Sequence, residues 1–443
     1  MLLVFSACRK DEVLNLQQPV GLGGDVTVST AIDKWILDSL TTPYNIAAKY
    51  RWDPWNASIY KTVTPPDESR VIPLFSALRR VWINPYNDET GSTLFMKKYS
   101  PKQFVLIGSV EYDYYSVTLG QAEGGNNIVF FDVNQNFDKN PVTSIKRVIH
   151  TAHHEFAHIL HQTVMYPQDF VGTSSKLGLA GYTATWFNVS DADALQEGYV
   201  TAYAMDMPNE DFVETIAAML TEGKTKFDEM KASVNVIARQ ALQQKEDFVV
   251  TYFRQVWKID FYSLQARVQA ALSALYPPPA VTDVYGSGKT YTRASVNPAN
   301  TALIPQPAAF TTIFNAAKAG LAAIVSGGTS GRVLDSFAVA HNSVSTVLLR
   351  CYFHTTTAPT TAVQALYQYN YTKDASNIFT FTLTARDANG TTFATGLAPL
   401  VDYLSNNKFA ITWYADPNTS LFPRVKFTPQ AIPGTYFLAR LLP

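Results

Sequence analysis

Residues His154-Glu155-Phe156-Ala157-His158 constrain this chain more than any other stretch. They sit within 143–165, where Ile145, Val148, Ile149, Ala152, Phe156, Ile159 and Leu160 recur at helical spacing. That recurrence predicts a helix with one face in the core. At ~100° per residue, His150, His154, His158 and His161 align on the opposite face. The chain has only seven histidines, and these four with His153 fall inside one short window. Two imidazoles one helical turn apart, ~6 Å along the axis, can reach a single ion. The acid between them can take a proton from a water that the ion polarises. The expected cofactor is Zn2+, with His154 and His158 as ligands and Glu155 as the catalytic base.

A catalytic zinc takes three protein ligands and keeps one position open. His161 lies seven residues after His154, ~10.5 Å along a continuous helix, too far for Zn–N bonds of ~2.0–2.1 Å to share one ion easily. It fits better beside a ligand than as one. A later carboxylate is the stronger candidate. Glu210 and Glu214 are spaced i, i+4 on one predicted helix face. One can ligate while the other accepts a hydrogen bond from the outer nitrogen of a ligand histidine. Glu197 is the main competitor for the third position.

Composition narrows the function classes. The net charge is -1 and charged residues make up 16% of the chain, so no basic field for nucleic acid is implied. The chain contains 47% hydrophobic and 13% aromatic residues, a globular composition. No apolar run approaches the ~18 residues of a membrane span. The two cysteines, Cys8 and Cys351, suggest no disulfide framework. Cys351 reads as a buried strand thiol. Cys8 closes the apolar run Met1 to Ala7 and is followed by Arg9-Lys10-Asp11-Glu12. That start resembles the end of a bacterial lipoprotein signal, in which the cysteine is lipidated and a charged tag directs the protein to the cell surface.

Along the chain, residues 9–29 read as a tether. Thr30 is placed to cap a first helix, and Ile46 to Trp52 reads as a strand. A helix is expected from Glu68 to Trp82, and strands over 104–109 and 127–133. Gly120 to Gly125 reads as a loop. Ser190 with Asp193 forms a capping box, and Asn209 can cap a helix that stops near Gly223. Helical pattern resumes over 227–243, 247–257 and 262–275, and ends at Pro277-Pro278-Pro279. Beyond 280 the composition turns to Thr, Ser, Ala and Asn. A helix over 308–324 is followed by strands over 345–353, 379–384, 409–414 and 436–442, with a hairpin-type turn at Asp387-Ala388-Asn389-Gly390. His341 and His354 lack ligand-spaced partners and read as structural. The expected class is α+β. It comprises a signal remnant at 1–8, a tether at 9–29, a zincin-like metallopeptidase domain at 30–279 and a β-rich domain of unknown role at 280–443.

The run Tyr203-Ala204-Met205-Asp206-Met207-Pro208-Asn209-Glu210-Asp211-Phe212-Val213-Glu214 resembles the second motif of gluzincins of the anthrax lethal factor type. It is still more similar to that of Bacteroidetes lipoprotein zinc metallopeptidases tied to TonB-dependent substrate import. The resemblance covers roughly residues 30–275. It implies Glu210 as third zinc ligand, Tyr203 as hydroxyl donor to the developing oxyanion, and Glu214 as support for a ligand histidine. It also implies a peptide or protein substrate, an outer-membrane location through lipidated Cys8, and partnership with a TonB-dependent importer and its surface binding lipoprotein. A second expectation is a binding component of such an importer with vestigial catalysis. Hydrolysis of a non-peptide amide is a third.

Overall fold

The computed structural model describes residues 28–53, 61–112, 117–118, 120–123, 127–134, 141–325, 328 and 331–443. Cys8, its apolar lead and most of the expected tether lie outside the described residues. The architecture is the expected one: an α+β region followed by a β-rich antiparallel region. No helix among the described residues is long and apolar enough to cross a membrane.

The first region opens with α1 (Ala31–Ile36), capped by Thr30 in a reciprocal box with Asp33. Strand β1 (Ala47–Lys49) is shorter than the expected 46–52. Helix α2 (Glu68–Leu78) is followed by β2 (Gln103–Leu106), β3 (Gly120–Glu123) and β4 (Asn127–Phe130). The sheet runs β1-β2-β4-β3. β1, β2 and β4 are parallel, and β3 pairs antiparallel with β4 at the edge. The expected loop at 120–125 is thus corrected: its first four residues form an edge strand. Glycine-rich polar sequence hides a strand when only one side is paired, because an edge needs no continuous apolar run.

The histidine helix is α3 (Pro141–Thr163). Ile145, Ile149, Ala152, Phe156 and Leu160 are all buried. Phe156 meets Trp82 and Tyr86 edge-on, with ring centroids 5.5 and 5.1 Å away. His153 joins this core side, 0% exposed beside Tyr86. Helix α4 (Asp191–Gln196) starts at the Ser190–Asp193 box. Helix α5 (Pro208–Ala232) packs across α3.

The expected Asn209 cap is corrected. Pro208 already occupies the first turn and Met207 stands at the cap position. The Asn209 side-chain oxygen Oδ1 instead accepts from the Tyr166 hydroxyl at 2.7 Å. Gly223 is a kink rather than a stop, at φ 80 and ψ 169. The Gln265 and Gln269 side chains satisfy the carbonyls of Met219, Leu220 and Thr221 that the kink frees. Helices α6 (Val236–Tyr252) and α7 (Phe261–Leu275) complete the region.

The second region has its own apolar cluster, from Val281 to Leu441. It contains β5 (Arg293–Val296), α8 (Ala308–Ala323), β6 (Arg332–His341), β7 (Thr346–Thr355), β8 (Ala358–Lys373), β9 (Ile378–Arg386), α9 (Ala394–Ser405), β10 (Lys408–Ala415), β11 (Arg424–Pro429) and β12 (Phe437–Leu442). The strands close into an antiparallel barrel, β8-β9-β10-β11-β12-β5-β6-β7. Closure removes both sheet edges. Buried residues alternate along the strands, as in Val347, Leu349, Cys351 and Phe353. Cys351 is the expected buried thiol, pushed up to about 12 by its burial. Helices α8 and α9 meet at Gly320 and Gly396. A Cβ on Gly320 would lie 2.5 Å from the Gly396 carbonyl oxygen, so only glycine permits the approach. The expected turn at 387–390 is also corrected. Asp387 accepts from the Gly390 amide and opens a short helix, Ala388–Thr392. An Asp three residues before Gly serves an N-cap as readily as a turn.

Candidate metal centre

Helix α5 lays its first turns over the histidine face of α3, so a face that spacing alone would leave to solvent is largely covered. His154 and His158 stand one turn apart with their Nε2 atoms 3.2 Å from each other. The Glu210 Oε2 atom is 3.2 Å from His154 Nε2 and 3.4 Å from His158 Nε2. It is buried and has no hydrogen-bond partner. The three atoms form a nearly equilateral triangle whose centre is about 1.9 Å from each corner. Zinc takes ~2.0–2.1 Å to imidazole nitrogen and ~2.0–2.2 Å to carboxylate oxygen. The donor set, its spacing and the orphaned oxygen therefore fit a zinc ion.

A second cluster, His150, His154 and Glu214, also brings donor atoms together. It shares His154 with the first, and a neutral imidazole has one lone pair to give. Its distances are those of hydrogen bonds. Glu214 Oε1 accepts from His154 Nδ1 at 2.7 Å and from His150 Nε2 at 2.8 Å. Glu214 Oε2 accepts from the Thr201 hydroxyl at 2.7 Å. A proton on Nδ1 fixes the tautomer that presents Nε2 to the triangle. On the neighbouring ligand, His158 Nδ1 is 3.0 Å from His161 Nε2. His161 therefore sits behind His158. Glu197 belongs to neither cluster and accepts from the Ala180 amide at 2.7 Å.

The charges follow the geometry. Burial opposes a proton on His154, but the Glu210 carboxylate close by and the hydrogen bond to Glu214 outweigh this and push it up to about 10. Burial would raise Glu210, but the two imidazoles facing its Oε2 bring it down to about 2. Burial also works against an ionised Glu214, yet His150 and His154 hold it well below the usual range. His161 is pushed down to about 4 by burial and by the His158 imidazole beside it. An ionised carboxylate facing an imidazole pair is a donor set that a divalent cation can enter by displacing a proton. Glu155 is buried beside the triangle, and burial pushes its carboxyl up against the pull of the two histidines. Tyr203 lies on a short turn, its ring 5.9 Å from His154 and nearly parallel to it. Trp186 backs it edge-on at 4.9 Å. Burial and the Glu210 charge both drive its hydroxyl far above the ordinary tyrosine value.

Two participants had no assigned role in the sequence. His150 was readable, because it continues the i, i+4 series of His154 and His158. Thr201 carries no local signal; only the fold brings it to Glu214. We expect Glu214→Ala to weaken zinc binding ~10–100-fold, because His154 loses the acceptor that orients it. Chelator competition on the variant measures this. An unchanged affinity would remove Glu214 from the account.

The sequence model of a family described as "putative zinc-binding metallo-peptidase" matches residues 25–262. A crystal structure with the same description, from Bacteroides caccae, is 28% identical. The match covers 57% of this chain and 97% of that one, with a TM-score of 0.48. No curated protein matches the chain.

Proposed function

The chain belongs to the family of putative zinc-binding metallo-peptidases, and on that premise we propose that it is a zinc-dependent peptidase working at the cell surface. The triangle of His154 Nε2, His158 Nε2 and Glu210 Oε2 carries this reading. These three residues would hold the ion. Bound zinc supplies Lewis acidity, which polarises both water and a scissile carbonyl. The chain's own groups do the rest. A Glu155 carboxylate oxygen takes a proton from the attacking water and returns it to the leaving amine nitrogen. Tyr203, kept protonated by its surroundings, donates its hydroxyl hydrogen bond to the developing oxyanion. Glu214 and His161 orient the ligand rings from behind. The outer side of edge strand β3 offers backbone groups to an extended peptide.

In this reading lipidated Cys8 anchors the chain to the outer membrane. The peptidase then feeds a TonB-dependent importer and its binding lipoprotein. Mass spectrometry of the mature N-terminus tests the anchor: an unmodified Cys8 would end that part of the proposal.

The activity is tested with zinc-loaded and chelator-treated protein on a peptide library. Cleavage should appear only with zinc, and Glu210→Gln should lose both metal affinity and cleavage. A zinc-loaded chain that cuts no peptide would favour the binding component, or an enzyme for another amide.

A further inference from the structure

We infer that the mouth of the C-terminal barrel is a binding site for a small anionic ligand with a flat apolar ring. The site is a cavity of about 380 Å³, within the range that holds small molecules. It lies where the β6–β7 and β8–β9 connections meet the segment before β5.

Strand periodicity explains its lining. Side chains two residues apart share a face. On β8 the buried row Ala365, Tyr367, Tyr369 continues to Tyr371 and then to Lys373. On β6 the row Phe337, Val339 continues to His341. The inward rows therefore end in an aromatic ring, an imidazole and an ammonium group.

The rings are set as walls. His341 lies 4.7 Å from Tyr285 and 5.1 Å from Tyr371, edge to face in both cases. Phe379 stacks on Tyr371 at 6.1 Å. Tyr285 is fixed by donating its hydroxyl to the Val339 carbonyl. Its neighbour His341 has a buried Nδ1 with no partner.

The lip is cationic. Lys373 and Lys289, the latter from the loop before β5, both line the cavity and are exposed. Neither ammonium has an ion-pair or hydrogen-bond partner among the described residues, and no Asp or Glu lines the cavity. Two unpaired positive charges over aromatic walls select a ligand with a negative head and a flat apolar body.

The test is calorimetric titration of the full chain with N-acetyl-L-phenylalanine, which has a carboxylate and a ring. A dissociation constant on the order of 1 mM is expected for about 15 non-hydrogen atoms. The neutral N-acetyl-L-phenylalaninamide should bind about 10-fold more weakly, and so should the acid to the Lys289→Ala/Lys373→Ala variant. Both lysines are exposed, so the variant keeps its fold and its zinc-dependent cleavage. A carboxylate can also coordinate zinc, so the titration is repeated after chelation, and binding should persist. Absence of binding at about 10 mM, equal binding of acid and amide, indifference to the lysine changes, or loss of binding with the metal would each overturn the inference.

Discussion

Glu155→Gln is expected to lower kcat/KM on any cleaved peptide by ~10²–10⁴-fold while leaving zinc affinity within about threefold of the parent. The split follows from where the carboxylate sits. Glu155 is adjacent to a ligand in sequence but is not one of the three atoms of the triangle. The amide of glutamine fills nearly the same volume, so helix α3 keeps its packing on Trp82 and Tyr86. An amide cannot accept the proton, so the step that depends on transfer is lost. Burial already raises the Glu155 carboxyl, which makes it a better base for water than an exposed acid. Kinetics and chelator competition on one preparation separate the outcomes. An unchanged rate means that Glu155 is not the base. A lost metal means that its role is to support the ligands.

What could be read from the chain beforehand was what repeats locally. The i, i+4 histidine series and the apolar stripe opposite it share one helix, so a single periodicity exposed both. The acids of α5 were visible for the same reason, at Glu210 and Glu214. That α5 lies across α3 was not visible. Glu214 is 60 residues from His154, and no local pattern encodes a crossing. Thr201 was invisible because a single hydroxyl has no spacing. In the second region the apolar strands over 345–353, 379–384, 409–414 and 436–442 stood out, and the α+β then β-rich class followed from them. Barrel closure did not, because β5, β6, β8 and β11 are short or mixed in character, and closure depends on pairing between distant strands. The edge strand β3 and the Asp387 cap were missed because glycine and aspartate serve turns, caps and edges alike.

Lys245→Met should destabilise the fold by ~3–5 kcal/mol, although Lys245 touches no ligand atom. Lys245 and Asp211 are both 0% exposed, with Nζ 2.8 Å from a carboxylate oxygen. The ammonium also donates to the Gly198 carbonyl at 2.8 Å and lies 3.8 Å from the Tyr199 ring centroid. Tyr182 donates its hydroxyl to the same carboxylate. Methionine fills the space but leaves the Asp211 charge and the Gly198 carbonyl buried without their main partner. A buried charge stranded in this way costs far more than the pair contributes when intact, so Lys245→Met/Asp211→Asn should recover part of the loss. Asp211 follows Glu210 directly on the first turn of α5. Loosening that turn should move the third donor and weaken zinc binding as well. Denaturant unfolding is therefore measured with chelator present, since bound metal would stabilise the native state and mask the difference. A loss below about 1 kcal/mol would mean that water reaches Asp211 in the variant, and that α5 is held over the histidines by its apolar face alone.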